Sequence, residues 1–202
     1  MILKKTAHVQ KSGLVSLRGR SGFTLVELLV VIAIIAILAA VVVLIINPLE
    51  LTRRGRDAAR LTDLANLQNA INVAVQESTG SGTAAILCNG ASYPCGGSAG
   101  NGQSNVGTRV ADGTGWVKVN LGSQKSVSVP TLPVDPTNSA TYHYTYCADN
   151  DAWEIDTVLE SDQQKGKMEN DGGDENAQDT TGRYEVGSNL KLISASGGSC
   201  TY

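Results

Sequence analysis

The 202-residue sequence predicts an α+β fold. Its expected parts are a long N-terminal helix with a membrane-spanning first half, and a small antiparallel β-sheet head packed on the second half. Three observations carry this. Leu28 to Ile46 is an uninterrupted apolar run of 19 residues, long enough to cross a bilayer as a helix. The segment after it keeps apolar residues at three- and four-residue steps, the period of an amphipathic helix. The last third breaks into short runs rich in aromatic and β-branched residues, separated by tight turns, which is a strand signature.

The chain begins with a basic segment. Residues 1–22 hold Lys4, Lys5, Lys11, Arg18 and Arg20 and no acid. Basic flanks stay on the cytoplasmic side of a membrane, so everything beyond the apolar run is expected outside the cytoplasm. The full chain has 16 basic and 19 acidic residues; without those five basic residues 11 face 19, a net charge of −8. From Ser81 onward 7 basic residues face 14 acidic ones, so most of that charge lies in the head. Such a surface repels nucleic-acid phosphate and is compatible with divalent cations.

The apolar run carries two features that a plain anchor does not need. Glu27 stands at its cytoplasmic edge, and a Gly22-Phe23 bond precedes it. A cleaved secretory signal has a shorter apolar core that ends at a small-residue cleavage site. An ordinary anchor fits the length but leaves the carboxylate unexplained, since a charge at the bilayer centre costs roughly 2.5–3.5 kcal/mol. The stretch GFTLVELLVVIAIIAIL resembles the N-terminal processing and assembly signal of type IV pilins and pseudopilins. That resemblance implies several things. A prepilin peptidase/methyltransferase cuts between Gly22 and Phe23 on the cytoplasmic side and N-methylates Phe23. The apolar helix is retained. Glu27 pairs with the N-terminal ammonium of a neighbouring subunit as the filament grows, which neutralises an otherwise costly carboxylate.

Asn47-Pro48 interrupts the run, and a kink or local melting is expected there because proline removes a helical hydrogen bond. The helical pattern then resumes, with Leu61, Leu64, Leu67, Gln68, Ile71, Ala74 and Val75 on one face, and stops at Thr79-Gly80-Ser81-Gly82. Continuous helix from Phe23 to Thr79 would measure about 85 Å. Arg53, Arg54, Arg56 and Arg60 read as a basic collar outside the membrane. Their expected partners are lipid headgroups, the acids of neighbouring chains, or Asp57 and Asp63.

In the head, residues 80–113 read as a long Gly-, Ser- and Asn-rich loop. Strands are expected at 115–121, 141–147 and 152–160, the last two as a hairpin, with a short final strand near 189–194. Between them, LPVDPTNSATYHYTY resembles the L-P-x-D-P segment and aromatic strand of major pseudopilins; its prolines also bar helix and central strand directly. Cys88, Cys95, Cys147 and Cys200 all lie in the exported part, where an even number suggests two disulfides. Three connectivities are open. The expected one is Cys88–Cys95, closing a short loop, with Cys147–Cys200 tying the tail to a strand. Loop entropy gives roughly 2.5 and 4 kcal/mol for the two closures. A metal site at 88–95 is disfavoured, because CNGASYPC is not a C-x2-C pattern and no histidine is near.

Residues 160–182 form a dense acidic, Gly-rich loop. Calcium takes oxygen ligands from such loops. The available carboxylates are Asp171, Asp174, Glu175 and Asp179, and the resemblance to major pseudopilins implies a calcium site in this general region. The EF-hand spacing is absent, so a solvated acidic loop is the plain alternative. Catalysis is not expected. His143 is the one histidine after the leader, and no nucleophile–His–acid set, HExxH or phosphate-binding glycine loop occurs.

The organisation read from the sequence is a cleaved leader over 1–22, a transmembrane and assembly helix over 23–46, an outer amphipathic helix over 47–80 and a disulfide-closed globular head over 81–202. The resemblance implies a structural subunit of a type IV pilus-like or type II secretion pseudopilus filament, with the head outside the inner membrane. Its implied partners are copies of itself, minor pilins, the prepilin peptidase, an inner-membrane assembly platform with a separate motor ATPase, and membrane lipid. Nucleic acid is not expected as a partner. The alternative reading is a membrane-tethered ligand-binding or DNA-uptake module that borrows the signal.

Overall fold

The structure is a computed structural model that describes residues 22–78, 86–90, 92–126, 128–173, 182–195 and 197–202. The chain divides between Ile46 and Asn47 into two compact units. The first contains helix α1 (Leu25–Ile46), 22 residues with no glycine or proline, about 33 Å long at 1.5 Å per residue. Its large apolar side chains are exposed all round, from 45% at Val31 to 78% at Leu25. A helix apolar on every face needs lipid or other helices as its solvent.

The second unit opens with helix α2 (Pro48–Glu77). The Asn47-Pro48 pair separates two helices where one continuous helix was possible. Asn47 adopts φ 44° and caps α2, its Oδ1 accepting the Glu50 N–H at 3.5 Å. Pro48 takes the first helical position, where a missing N–H costs nothing. The buried residues of α2 follow helical spacing but change character along it. Glu50, Asp57 and Arg60 are buried in the first half; Leu64, Leu67, Ala70, Ile71 and Ala74 are buried in the second.

Four antiparallel strands pair in the order β1 (Cys95–Gly96), β2 (Thr145–Asp149), β3 (Ala152–Thr157) and β4 (Tyr184–Gly187). The expected hairpin is β2–β3. Asp149 pairs with Ala152, and Asn150 takes φ 53° in the connection, a conformation asparagine tolerates better than most residues. Two strand expectations are corrected. Residues 115–121 form no strand although Trp116, Val117, Val119 and Leu121 are fully buried. Their backbone bonds go to scattered loop positions, such as Trp116 N–H to Thr108 O and Leu121 N–H to Ala111 O, and no single strand lies alongside. Residues 189–194 form only an isolated bridge, Ile193 to Cys200. The last strand is instead β4, in a run with little apolar content, and β1 arises inside the segment read as loop.

Alternation gives the sheet two unlike faces. Tyr144, Tyr146, Ala148, Trp153, Ile155 and Val186 join Leu64, Leu67, Ile71 and Trp116 in the main core. Tyr144 reaches α2 directly, its hydroxyl donating to Asp63 at 2.9 Å. The opposite face carries His143, Thr145, Glu154, Asp156 and Glu185, every one of them buried.

Candidate functional site: the N-terminal helix and its anchor in the head

Gly22, Phe23 and Thr24 precede the first turn of α1, and all are exposed, Phe23 to 84%. Helix starts leave N–H groups without intrahelical partners. Here Thr24 and Glu27 satisfy them reciprocally. The Glu27 N–H donates to Thr24 Oγ1 at 3.2 Å, and the Thr24 N–H donates back to Glu27 Oε2 at 2.8 Å. The Thr24 hydroxyl also donates to Oε2 at 2.8 Å. This is a capping box, with threonine at N-cap and glutamate three residues on. The T-x-x-E spacing of Thr24 and Glu27 is the signal in the sequence that marks this cap. Glu27 therefore has a partner within its own chain, which lowers the cost attributed to a lone carboxylate.

Residues 17–43 match the family described as the prokaryotic N-terminal methylation motif. The match spans the Gly22-Phe23 bond, the capping box and most of α1. The matched segment is a methylation motif of the kind found at the N-termini of type IV pilins and pseudopilins. No curated protein and no solved structure matches the chain. The pilin-type N-terminus and the α+β head thus stand together.

In the pilin-like head, the expected basic collar does not stay on the surface. Arg60 is fully buried among acids. Its Nε donates to Asp135 Oδ2 at 2.6 Å and its Nη2 to Asp135 Oδ1 at 3.0 Å, a two-pronged contact. Its Nη1 lies 2.8 Å from Asp57 and 2.7 Å from Glu160. Arg56 pairs with the same Glu160. Asp57 in turn accepts the backbone N–H groups of Glu160 and Ser161, and Asp135 accepts those of Thr137 and Asn138. The aspartate of L-P-x-D-P is thus the counter-ion of a helix arginine. Burial pulls the Arg60 pKa down, but hydrogen bonds and attraction from Asp135, Glu160 and Asp57 outweigh it, and the net shift is upward. The Arg56 hydrogen bond, with help from Arg60, holds Glu160 down at about 2. Only Arg53 and Arg54 remain exposed, Arg54 bonded to Glu50 at 3.2 Å.

The second sheet face holds a different acid. Glu154 is fully buried, and burial raises its pKa to about 7, with nearby Asp156 adding to the rise. The two glutamates give opposite pH dependences. A raised folded pKa contributes stability below 4.5 that is lost as pH rises through 7; a lowered one contributes above 4.5 and is lost as pH falls through 2. Each glutamate thus adds one limb to the pH dependence of head stability, Glu154 on the alkaline side of 4.5 and Glu160 on the acid side. Denaturant unfolding of the full chain in detergent across this range checks it. Glu154→Gln flattens the upper limb and Glu160→Gln the lower.

Both cysteine pairs are disulfide-bonded, Cys88–Cys95 and Cys147–Cys200, and no free cysteine remains. Of the carboxylates expected for calcium, Asp174, Glu175 and Asp179 lie outside the described residues. Asp171 is engaged internally, Oδ1 accepting the Gly173 N–H and Oδ2 the Glu185 N–H. Among the described residues no group of three or more His, Cys, Asp or Glu is placed to hold a metal ion. The described residues therefore do not fit a calcium site.

Proposed function

We propose that the protein is a structural, non-enzymatic filament subunit, inserted with its leader in the cytoplasm, cut after Gly22 and assembled through α1. The observation that carries this is the capping box at the head of an apolar helix whose large side chains are exposed on every face. Both bonds from Thr24 fall on Glu27 Oε2, which leaves Oε1 to accept from another chain. Cleavage before Phe23 creates the matching donor, an N-terminal ammonium one residue from Thr24. A neighbouring subunit's ammonium on Oε1 neutralises the carboxylate without dismantling the cap. Bundled α1 helices then replace lipid by protein, and the heads coat the outside.

The acidic head supports a structural or secretion filament over direct contact with nucleic acid, whose phosphates it repels. Expression with the cognate peptidase and assembly platform tests the reading. The chain is expected in sheared or detergent-resistant filaments visible by negative-stain microscopy. Recovery solely as dispersed membrane monomers under those conditions would sink it.

A further inference from the structure

We propose that the C-terminal segment, described over 189–195 and 197–202, is a lid over a buried acidic seam, and that the Cys147–Cys200 disulfide is its lock. The seam is the second face of the sheet. Glu154, Asp156 and Glu185 are 0%, 1% and 2% exposed, and the cations facing them are Arg183, 3.0 Å from Asp156, and His143, which burial followed by Arg183 keeps toward its neutral form. Glu154 and Glu185 meet side chain to side chain. Among the described residues Arg183 pairs with Asp156, and Glu154 relies on tail N–H groups, in a water-poor layer where like charges repel strongly. Two buried polar atoms, His143 Nε2 and Arg183 Nε, have no hydrogen-bond partner among the described residues.

The cover meets the head largely through polar contacts, Ser199 Oγ donating to Asp149 at 2.7 Å among them. Its apolar part is a cluster of Cys147, Leu192, Ile193 and Cys200 that stands apart from the main core. Glu154 Oε2 accepts the Leu192 and Ile193 N–H groups at 2.7 and 3.0 Å. The Tyr202 ring lies 3.9 Å from the Arg183 guanidinium carbon, and the Ser98 N–H donates to Thr201 O at 2.8 Å. A segment with so little apolar contact of its own, above a layer that gains by meeting water, opens locally when its covalent tie is cut. The tie is cut by a dithiol. One thiolate attacks the Cys200 sulfur, the less buried of the two, and forms a mixed disulfide while Cys147 leaves as a thiolate that takes up a proton. The second thiol then displaces Cys200, so two electrons and two hydrogens pass to the protein and the reagent becomes a cyclic disulfide.

Hydrogen exchange read by mass spectrometry on the full chain in detergent, before and after dithiothreitol, tests this. Opening is expected to speed exchange at Leu192, Ile193 and Cys200 by up to about 10³-fold, the loop-closure advantage lost. Amides of Tyr146, Ile155 and Leu67–Ala74 are expected to stay protected. The Cys88→Ser/Cys95→Ser variant, left oxidised, keeps the lid closed. In reduced Glu154→Gln, a neutral isostere that still accepts a tail N–H, lid exchange slows back toward the oxidised rate. Simultaneous exchange of lid and core, or a lid as protected after reduction as before, would overturn the proposal. So would a reduced Glu154→Gln lid that exchanges as fast as the reduced parent.

Discussion

Replacing Arg60 by methionine is expected to destabilise the head by roughly 3–5 kcal/mol, the usual effect of removing one partner from a buried ion network. The methionine fills the space, so the loss is electrostatic. Asp135, Asp57 and Glu160 would remain beneath α2 without the guanidinium that touches all three. The thermal midpoint should fall by about 10 °C or more for a head of this size. Thermal unfolding of the full chain in detergent measures it. The double variant Arg60→Met/Asp135→Asn should recover part of the loss, since it removes a stranded charge together with its partner. If Arg60→Met melts within about 2 °C of the parent, the network is not what anchors the first half of α2.

The larger functional effect is expected at Glu27. Glu27→Ala should leave insertion and cleavage intact and reduce entry into filaments by about 10-fold or more, since the cost of an intramembrane charge, roughly 2.5–3.5 kcal/mol at the bilayer centre, is smaller at the edge. Loss of a helix cap alone is worth about 1 kcal/mol, short of that drop. Thr24→Val separates the two causes. It removes both bonds of the threonine hydroxyl but keeps the backbone N–H that donates to Glu27 Oε2. Assembly near the parental level in Thr24→Val, with failure in Glu27→Ala, assigns the effect to the carboxylate. Equal failure in both would assign it to the cap.

The contrast between these residues shows which parts of the chain were legible beforehand. The apolar helix and the methylation motif over residues 17–43 are written locally, in a run whose composition and neighbours suffice. The apolar stripe of α2 and the β2–β3 hairpin were also readable, because helical period and a tight turn are short-range signals; the even cysteine number gave two disulfides but left three connectivities open. Arg60 was misread for the opposite reason. Asp57, an expected partner, lies three residues away, but Asp135 and Glu160 lie 75 and 100 residues away, and nothing local distinguishes a buried arginine from a solvated one. The signal that existed was positional: Asp57 and Arg60 continue the helical spacing of Leu64 and Leu67 backward into the charged half of α2. The strand expected at 115–121 failed because burial of Trp116 and Val117 was taken to require sheet pairing, whereas loops supply the backbone partners. Strand β4 is only four residues, with Tyr184 and Val186 as its strand-favouring positions, too short a run to read alone, and pairing with β3 defines it. The second sheet face was hidden in plain alternation. A YHYTY pattern normally puts one set of alternate residues in water, yet His143 and Thr145 are buried here.

The central claim is that α1 is an assembly helix released by cleavage at Gly22-Phe23, and the intact mass of the protein recovered from cells with its own peptidase tests it most directly. The account predicts one species. It comprises residues 23–202, gains a single methyl group on Phe23 and lacks the four hydrogens removed by two disulfides. A chain that keeps residues 1–22, or one cut beyond the apolar run so that α1 is lost, would contradict it.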